Sequence, residues 1–426
     1  MWCGRSTELA LRIIVVSQYF WPENFRINDL VKEWVQRGHE VMVLTGHPNY
    51  PGGEIFPEYL QNPGNFARFG GVQIHRVPMP PRATGSLRLL LNYLGFVLGA
   101  ALVGPWKLRG YRSDVIFVFE PSPVTVGLPA VLLGRLKRCP VVFWALDLWP
   151  ETLSAIGVVK HPKALSAVAQ MVRFIYNRCT LVLGQSRSFL PSIASHCDDP
   201  SKVRYFPNWA EDVFQETVDE PVSEIPPAAG TLSILFAGNV GDAQDFPAIL
   251  DAADRLKHRK DIRWLIVGDG RRSNWLSEQV QTRGLGEWVL LLGRYPVERM
   301  PAFYAKADAL LVSLKKDLTF SMTIPGKVQS YLAAGRPIIG MLDGEGADVI
   351  KRAGAGLVCP AGDSAALAET VQRFAETSPE DRLQMGKQGQ AYAKAEFDRN
   401  TLMTRLLTLL EESISLHRLK KIRKAE

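Results

Sequence analysis

The sequence predicts an α/β protein of two Rossmann-like domains facing each other across a cleft. Three observations predict it. Continuous apolar runs alternate with helical stretches, the mark of a parallel sheet buried on both faces. The alternation stops around residues 207–230 and then restarts, so there are two such sheets in series. The chain has 426 residues, too many for one typical core, and its 46% apolar and 22% charged content is ordinary for a globular protein. Ligands of open α/β sheets bind outside the carboxyl ends of the strands, which is why two such domains are expected to share a cleft.

The first-half strands are read at "RIIVVSQ" (12–18), "EVMVLT" (40–45), "VQIHRV" (72–77), "DVIFVF" (114–119), "PVVFWA" (140–145) and "TLVLG" (180–184). Between the first two, "INDLVKEWVQRG" (27–38) is helical and closes a βαβ unit with a right-handed crossover. The stretch ahead of them has no long apolar run or small-residue cleavage site, so no signal peptide is expected. This assigns 1–207 to a first domain. Proline and acid crowd 208–230, which reads as an exposed linker. The second domain, 231–398, has strands at "TLSILFAG" (231–238), "IRWLIVGDG" (262–270), "WVLLLG" (288–293), "DALLVSL" (308–314) and "PIIGM" (337–341). A helix and basic tail, 399–426, complete the chain; "SLHRLKKIRKAE" carries five Lys/Arg, either solvated or in contact with an acidic surface.

A net charge of +7 points to anionic partners. Cys3, Cys139, Cys179, Cys197 and Cys359 form no CxxC pair, which fits reduced thiols in a cytoplasmic protein. Residues 87–106, "LRLLLNYLGFVLGAALVGPW", approach the roughly 20 apolar residues of a membrane span. Arg88 and Asn92 interrupt the run, and Arg82, Arg88, Lys107, Arg109 and Arg112 flank or enter it. Two readings stand: a helix lying in the interface of an acidic membrane, within a segment 82–112, or a helix buried on the sheet.

Several chemistries are excluded. There is no GxGxxG and no GxxxxGK[ST]; "GQSRS" (184–188) lacks the last glycine of a nucleophile elbow; the seven histidines show no metal-binding spacing. Glycine-bearing loops after the second-half strands remain: "AGNVGDAQDF" (237–246), "VGDGRR" (267–272), "LGRYP" (292–296) and "IPGKVQSYLAAG" (324–335). Gly238 and Gly241 let backbone N–H groups approach a phosphate, and Lys327 puts a compact cation at a helix mouth that already favours anions. Taken singly, each loop is equally an ordinary tight turn.

Together these segments resemble the nucleotide-sugar-binding domain of family 4 glycosyltransferases of the two-domain GT-B fold. The residues that carry the resemblance are "GNVGDAQDF", "VGDG", "LGRYPVERMPAFYAKADALLVSL", "IPGKVQSYLAAGRPII" and "GAGLVCPAGDSAALAETV". In the first half they are "RIIVVSQYFWPE", "RGHEVMVLTGHPNYPGG" and "DLWPETL". The resemblance spans about residues 12–410 and is strongest to bacterial colanic acid and fucosamine-type exopolysaccharide enzymes.

It implies roles at matching positions. Lys327 would neutralise the departing donor diphosphate, and the Gly238–Gly241 loop, with Asn239 and Gln244, would contact it. Gly268, Gly293, Arg294 and Tyr295 would border base and ribose, with Ser330 reaching the ribose. Asp147 would be a catalytic or acceptor-side carboxylate, with helix capping as the plainer alternative. Asn24 and Arg26 would lie at a second helix start facing phosphates. The chain departs from the family at Met322 and Ser330, where a pair of glutamates is usual. Asn239 and Gln244 stand for an Arg and a Lys, and Leu146 for a His.

The expected activity is retaining transfer of a sugar from a UDP- or GDP-sugar to a polyprenyl-diphosphate-linked saccharide, in exopolysaccharide or O-antigen synthesis. It would occur in the cytoplasm at the inner face of the membrane. Protein cations and helix dipoles can stabilise the leaving group, so neither metal nor cofactor is called for. An epimerase of the same architecture and a non-catalytic member of a polysaccharide assembly complex remain as alternatives. Nucleic acid is not expected, because the basic clusters lack interleaved aromatics.

Overall fold

The computed structural model describes residues 10–82, 86–155, 159, 161–215 and 220–423. Cys3, residues 83–85 of the basic segment, 216–219 of the expected linker and the last three residues of the tail lie outside these. The chain divides into two compact units. One runs to Phe206 and takes up the chain again from Met403; the other is Pro207–Leu402.

The first unit carries strands β1 (Arg12–Val16), β2 (Glu40–Thr45), β3 (Arg68–Phe69), β4 (Val72–Arg76), β5 (Val115–Glu120), β6 (Val141–Ala145), β7 (Leu181–Gly184) and β8 (Val203–Tyr205). They form one sheet in the order β3-β4-β2-β1-β5-β6-β7-β8, parallel except for the β3–β4 pair. β1 sits centrally, with Ile13 opposite both Val41 and Val115. Every residue of β5 and β6 is buried, as continuous apolar runs require. Helix α1 (Arg26–Gln36) buries Ile27, Leu30, Val31 and Trp34 at helical spacing, and the Trp34 ring meets Phe117 at 5.3 Å. Its end is fixed by Gly38 at φ +88°: Gly38 N–H donates to Val35 O and His39 N–H to Trp34 O, a Schellman closure. Helices α2 (Ser86–Leu102) and α3 (Gly127–Lys137) pack together beside this sheet.

The second unit has six parallel strands, β9 (Leu232–Ala237), β10 (Ile262–Val267), β11 (Val289–Gly293), β12 (Ala309–Ser313), β13 (Ile338–Met341) and β14 (Gly356–Cys359), in the order β11-β10-β9-β12-β13-β14. Along β9, Ile234 and Phe236 enter one core while Leu235 and Ala237 enter the other. The period-two pleat thus feeds both faces. Helix α4 (Gly326–Ala333) starts after Pro325, and α5 (Arg399–Ile422) ends the described chain. From Met403 on, α5 belongs to the first unit, where Arg204 pairs with Glu412 at 2.6 Å.

Three strands were not read from sequence. β3 has two residues, β8 three, and β14 is a four-residue run beginning at glycine, so none shows a usable period. The 208–230 stretch corrects the expectation of an exposed linker. Trp209, Ala210, Phe214, Val222 and Ile225 are buried, and the last four belong to the second unit's core. Phe214 stacks on Tyr304 at 5.5 Å, and Ala210 N–H donates to Phe397 O at 3.0 Å. Spaced apolar anchors were hidden by the acidic and proline-rich residues between them. The tail also has a bonded cation: Lys421 Nζ donates to Arg138 O at 2.8 Å, satisfying a carbonyl just past α3.

Candidate functional site

In the second unit, the loops after β9, β10 and β11 are hydrogen-bonded to one another beyond the ends of the strands. Gly238 N–H donates to Val267 O, Val240 N–H to Asp269 O, and Gly268 N–H to Gly293 O, all within 2.7–2.9 Å. Glycine is needed here for closeness. A Cβ on Gly268, already at φ +144°, would stand 1.8 Å from Gly238 O, and one on Gly270 would stand 2.3 Å from Val240 O. Tyr331 of α4 pins the end of β9 from the other side: its hydroxyl accepts from Ala237 N–H at 3.0 Å and lies 3.2 Å from Ala237 O.

These loops line an open pocket of about 920 Å³. Gly238, Asn239, Gly268, Arg294 and Tyr295, all expected at the donor, line it. Val267, Asp269, Gly270, Pro296, Val297 and Met300 line it too and were not singled out from sequence. The "DG" following β10 was the available signal for Asp269, whose carboxylate is held below its usual range by Ser273 and by Gly270 N–H. Tyr295 is half buried against Phe303, while Arg294 is exposed. Gly241 lies between the side chains of Asn239 and Gln244: a Cβ there would be 2.5 Å from Asn239 Nδ2 and 3.1 Å from Gln244 Oε1. Gly293, at φ +80°, turns the chain after β11. Ser330 spends its hydroxyl within α4, donating to Gly326 O at 3.2 Å.

Lys327 packs against Gly238, with Cε 2.7 Å from where a Cβ would sit. The residue as a whole is half buried, and its ammonium is fully buried with no hydrogen-bond partner. Nζ rests 3.5 Å from the centre of the Phe236 ring. Burial lowers its pKa to about 7, since no carboxylate compensates the lost hydration. A buried amine this poorly satisfied is a ready receptor for an anion.

In the first unit, Asp147 follows β6 with both oxygens engaged. Oδ1 accepts from Leu148 N–H at 2.9 Å and Thr152 Oγ1 at 2.6 Å; Oδ2 accepts from Trp149 Nε1 at 3.2 Å. This is the bonding of a residue that shapes its own loop. Its N–H reaches Glu120 Oε2 at 3.4 Å. Glu120, at the end of β5, is fully buried, and burial, then the Asp147 charge, push its pKa well above the carboxylate range. Glu23 is a second buried carboxyl that sequence reading passed over. It accepts from the N–H groups of Phe20, Asn49 and Tyr50 and so ties the loops after β1 and β2 together. Burial raises its pKa to about 6 against those bonds. Asn24 is exposed, and Arg26 is the first residue of α1, half buried.

The outer face of α2 exposes Leu87, Leu91, Leu94, Leu98 and Leu102, a stripe at spacings of three and four, with Leu90 beside it and Trp106 beyond. Leu132 and Leu136 of neighbouring α3 are exposed as well. Asn92, which broke the apolar run in sequence, faces inward: it accepts from Gln18 Nε2 at 2.8 Å and donates to Pro80 O at 2.7 Å. Among the described residues, no helix is long and apolar enough to cross a membrane.

Comparison with known proteins matches residues 231–377 to the family "Glycosyl transferases group 1" and residues 24–209 to the "Glycosyl transferase 4-like domain". A relative in Escherichia coli K12, the putative colanic acid biosynthesis glycosyl transferase WcaI, is 27% identical over 76% of this chain and 82% of its own. A GDP-mannose-dependent alpha-mannosyltransferase of Corynebacterium glutamicum is 22% identical over 82% of this chain and 76% of its own. Anabaena HepE, crystallised with UDP, superposes with a TM-score of 0.68 at 14% identity, covering 94% of this chain and 100% of its own. At that identity the likeness is one of fold.

Proposed function

We propose, for a chain that belongs to the glycosyl transferases of group 1 and carries a 4-like domain ahead of that region, a retaining transfer onto a lipid-linked saccharide. The donor is a UDP- or GDP-sugar. The product is a repeat unit of an exopolysaccharide or O-antigen, assembled at the inner face of the cell membrane. The observation that carries this reading is the buried, unbonded ammonium of Lys327 against Gly238.

Cleaving a sugar from a nucleoside diphosphate leaves negative charge on the β-phosphate as the sugar becomes oxocarbenium-like. Lys327 and the N–H groups at the start of α4 supply positive potential for that charge. The glycines of the adjoining loops keep side chains out of the way there, although the N–H groups of Gly238, Gly268 and Gly270 are themselves spent on bonds within and between the loops. With Ser330 bonded inside α4 and Met322 at the other family glutamate position, more of the donor's hold falls on Lys327 and on the pocket that Arg294 and Tyr295 line. The exposed leucines of α2, flanked by Arg88, Lys107 and Arg109, suit an acidic membrane surface that would bring the lipid-linked acceptor close. The colanic acid relative supports the polysaccharide setting, and the UDP bound to HepE and the GDP-mannose dependence of the mannosyltransferase support the two donor classes.

The test is donor consumption with and without a membrane lipid extract containing saccharide acceptors. Release of nucleoside diphosphate that rises severalfold with the extract, with sugar incorporated into lipid, supports transfer. Epimerised nucleotide sugar, or no turnover under any condition, contradicts it.

A further inference from the structure

Just ahead of α2, Arg82 differs from Arg76. Arg76 spends its guanidinium on the backbone, donating to Gly46 O and Trp21 O. Arg82 lies with Cζ 5.3 Å from the centre of the Tyr50 ring, and its Nη1 stands 3.5 Å from Tyr19 Oη. Among the described residues, no carboxylate pairs with it. A guanidinium stacked on a ring keeps its edge donors available, and a planar fork of N–H groups matches phosphate oxygens. Tyr50 is 37% exposed, so solvent reaches this place.

The surroundings say which phosphate. Arg82 stands near both Tyr19 and Tyr93: burial raises both phenol pKa values, and the Arg82 charge opposes that rise. The Tyr93 ring stands 6.3 Å from Trp149, whose indole N–H is bonded to Asp147. Arg82 therefore ends a run of aromatic residues that begins at the Asp147 loop. Tyr93 is itself a residue of α2, the helix whose outer face is the exposed leucine stripe, so the same helix joins the aromatic run to that face. We propose that Arg82, held by Tyr50 and Tyr19, is an anion-binding subsite for the phosphate or diphosphate ester that joins the acceptor sugar to its lipid. This rests on the lipid-linked acceptor reading above. A saccharide reaching toward Asp147 leaves its phosphate at Arg82 and its hydrocarbon along α2.

The test measures binding of the full chain to three vesicles: phosphatidylcholine alone, with phosphatidylglycerol, and with a polyprenyl diphosphate at matched negative charge. The wild type binds the polyprenyl diphosphate vesicles more tightly than the phosphatidylglycerol ones. Arg82→Ala loses that excess by about tenfold, the worth of one charge-assisted bond, and Arg82→Lys loses part of it. Both variants keep their melting temperature and their binding to phosphatidylglycerol vesicles. If Arg82→Ala retains the excess, the Arg82 assignment is overturned and the lipid-linked acceptor stands. Equal loss by Arg82→Ala on both anionic vesicles assigns the residue to general headgroup attraction and overturns the subsite. No excess in the wild type overturns the acceptor reading and the subsite with it.

Discussion

At the scale of single residues, two buried charged groups differ in what holds them: Lys327 has no hydrogen-bond partner, and Glu23 accepts from three backbone N–H groups. Lys327 has a pKa of about 7 because it is desolvated and no carboxylate faces it. Above pH 7 the amine of the free protein is mainly neutral, whereas a bound diphosphate favours the ammonium, so donor binding takes up a proton. Affinity for a nucleotide sugar should therefore fall as pH rises above 7, by up to about tenfold per unit. Calorimetry in buffers of different ionisation heat reads the uptake directly, and pH-independent binding without it would contradict the assignment. Glu23 is structural by contrast. Glu23→Ala leaves three backbone N–H groups without their acceptor, at about 1–3 kcal/mol each. Urea unfolding should show a loss of about 3 kcal/mol or more. Lys327 was legible in the sequence because proline, glycine and a helix bracket it. Glu23 was not: its partners Asn49 and Tyr50 come from another loop, and no local spacing reveals that meeting.

At the scale of elements, the buried strands were legible because a parallel sheet covered on both faces demands unbroken apolar runs. β9 and β10 are such runs, and so are β5 and β6. The two- to four-residue strands β3, β8 and β14 were not legible, since partners in the sheet define them and their own pattern does not. The segment 209–225 misled for a related reason: composition reports average polarity, while a few spaced anchors decide burial. The loops after β9, β10 and β11 were visible as glycines, but their reason, backbone crossing backbone at Gly268 and Gly270, needed the fold. Gly268→Ala drives a methyl group into Gly238 O and cannot keep a positive φ without strain. Nucleotide-sugar affinity should drop by at least about tenfold in titration calorimetry; unchanged affinity would mean the three loops do not form the donor site.

At the scale of the whole molecule, the two units have separate cores, and each presents chemistry at strand-end loops. The second gathers an open pocket of about 920 Å³ and a buried amine. The first gathers buried carboxyls, aromatic rings and an apolar outer face. That face would be costly to keep in water without use, since exposed apolar stripes mark binding surfaces. Leu91→Glu with Leu98→Glu should leave folding intact, because both side chains already face solvent, while vesicle flotation falls by about tenfold or more. Undiminished flotation would remove α2 from the membrane contact.

The central claim is that a nucleoside diphosphate docks beside Gly238 and is held by Lys327. The direct measurement is titration of UDP and GDP into the wild type, Lys327→Ala and Lys327→Arg. The wild type should bind at least one nucleotide, Lys327→Ala should weaken that binding by roughly a hundredfold, and Lys327→Arg should recover part. Equal affinity in the wild type and Lys327→Ala, or no binding of either nucleotide by the wild type, would contradict the claim.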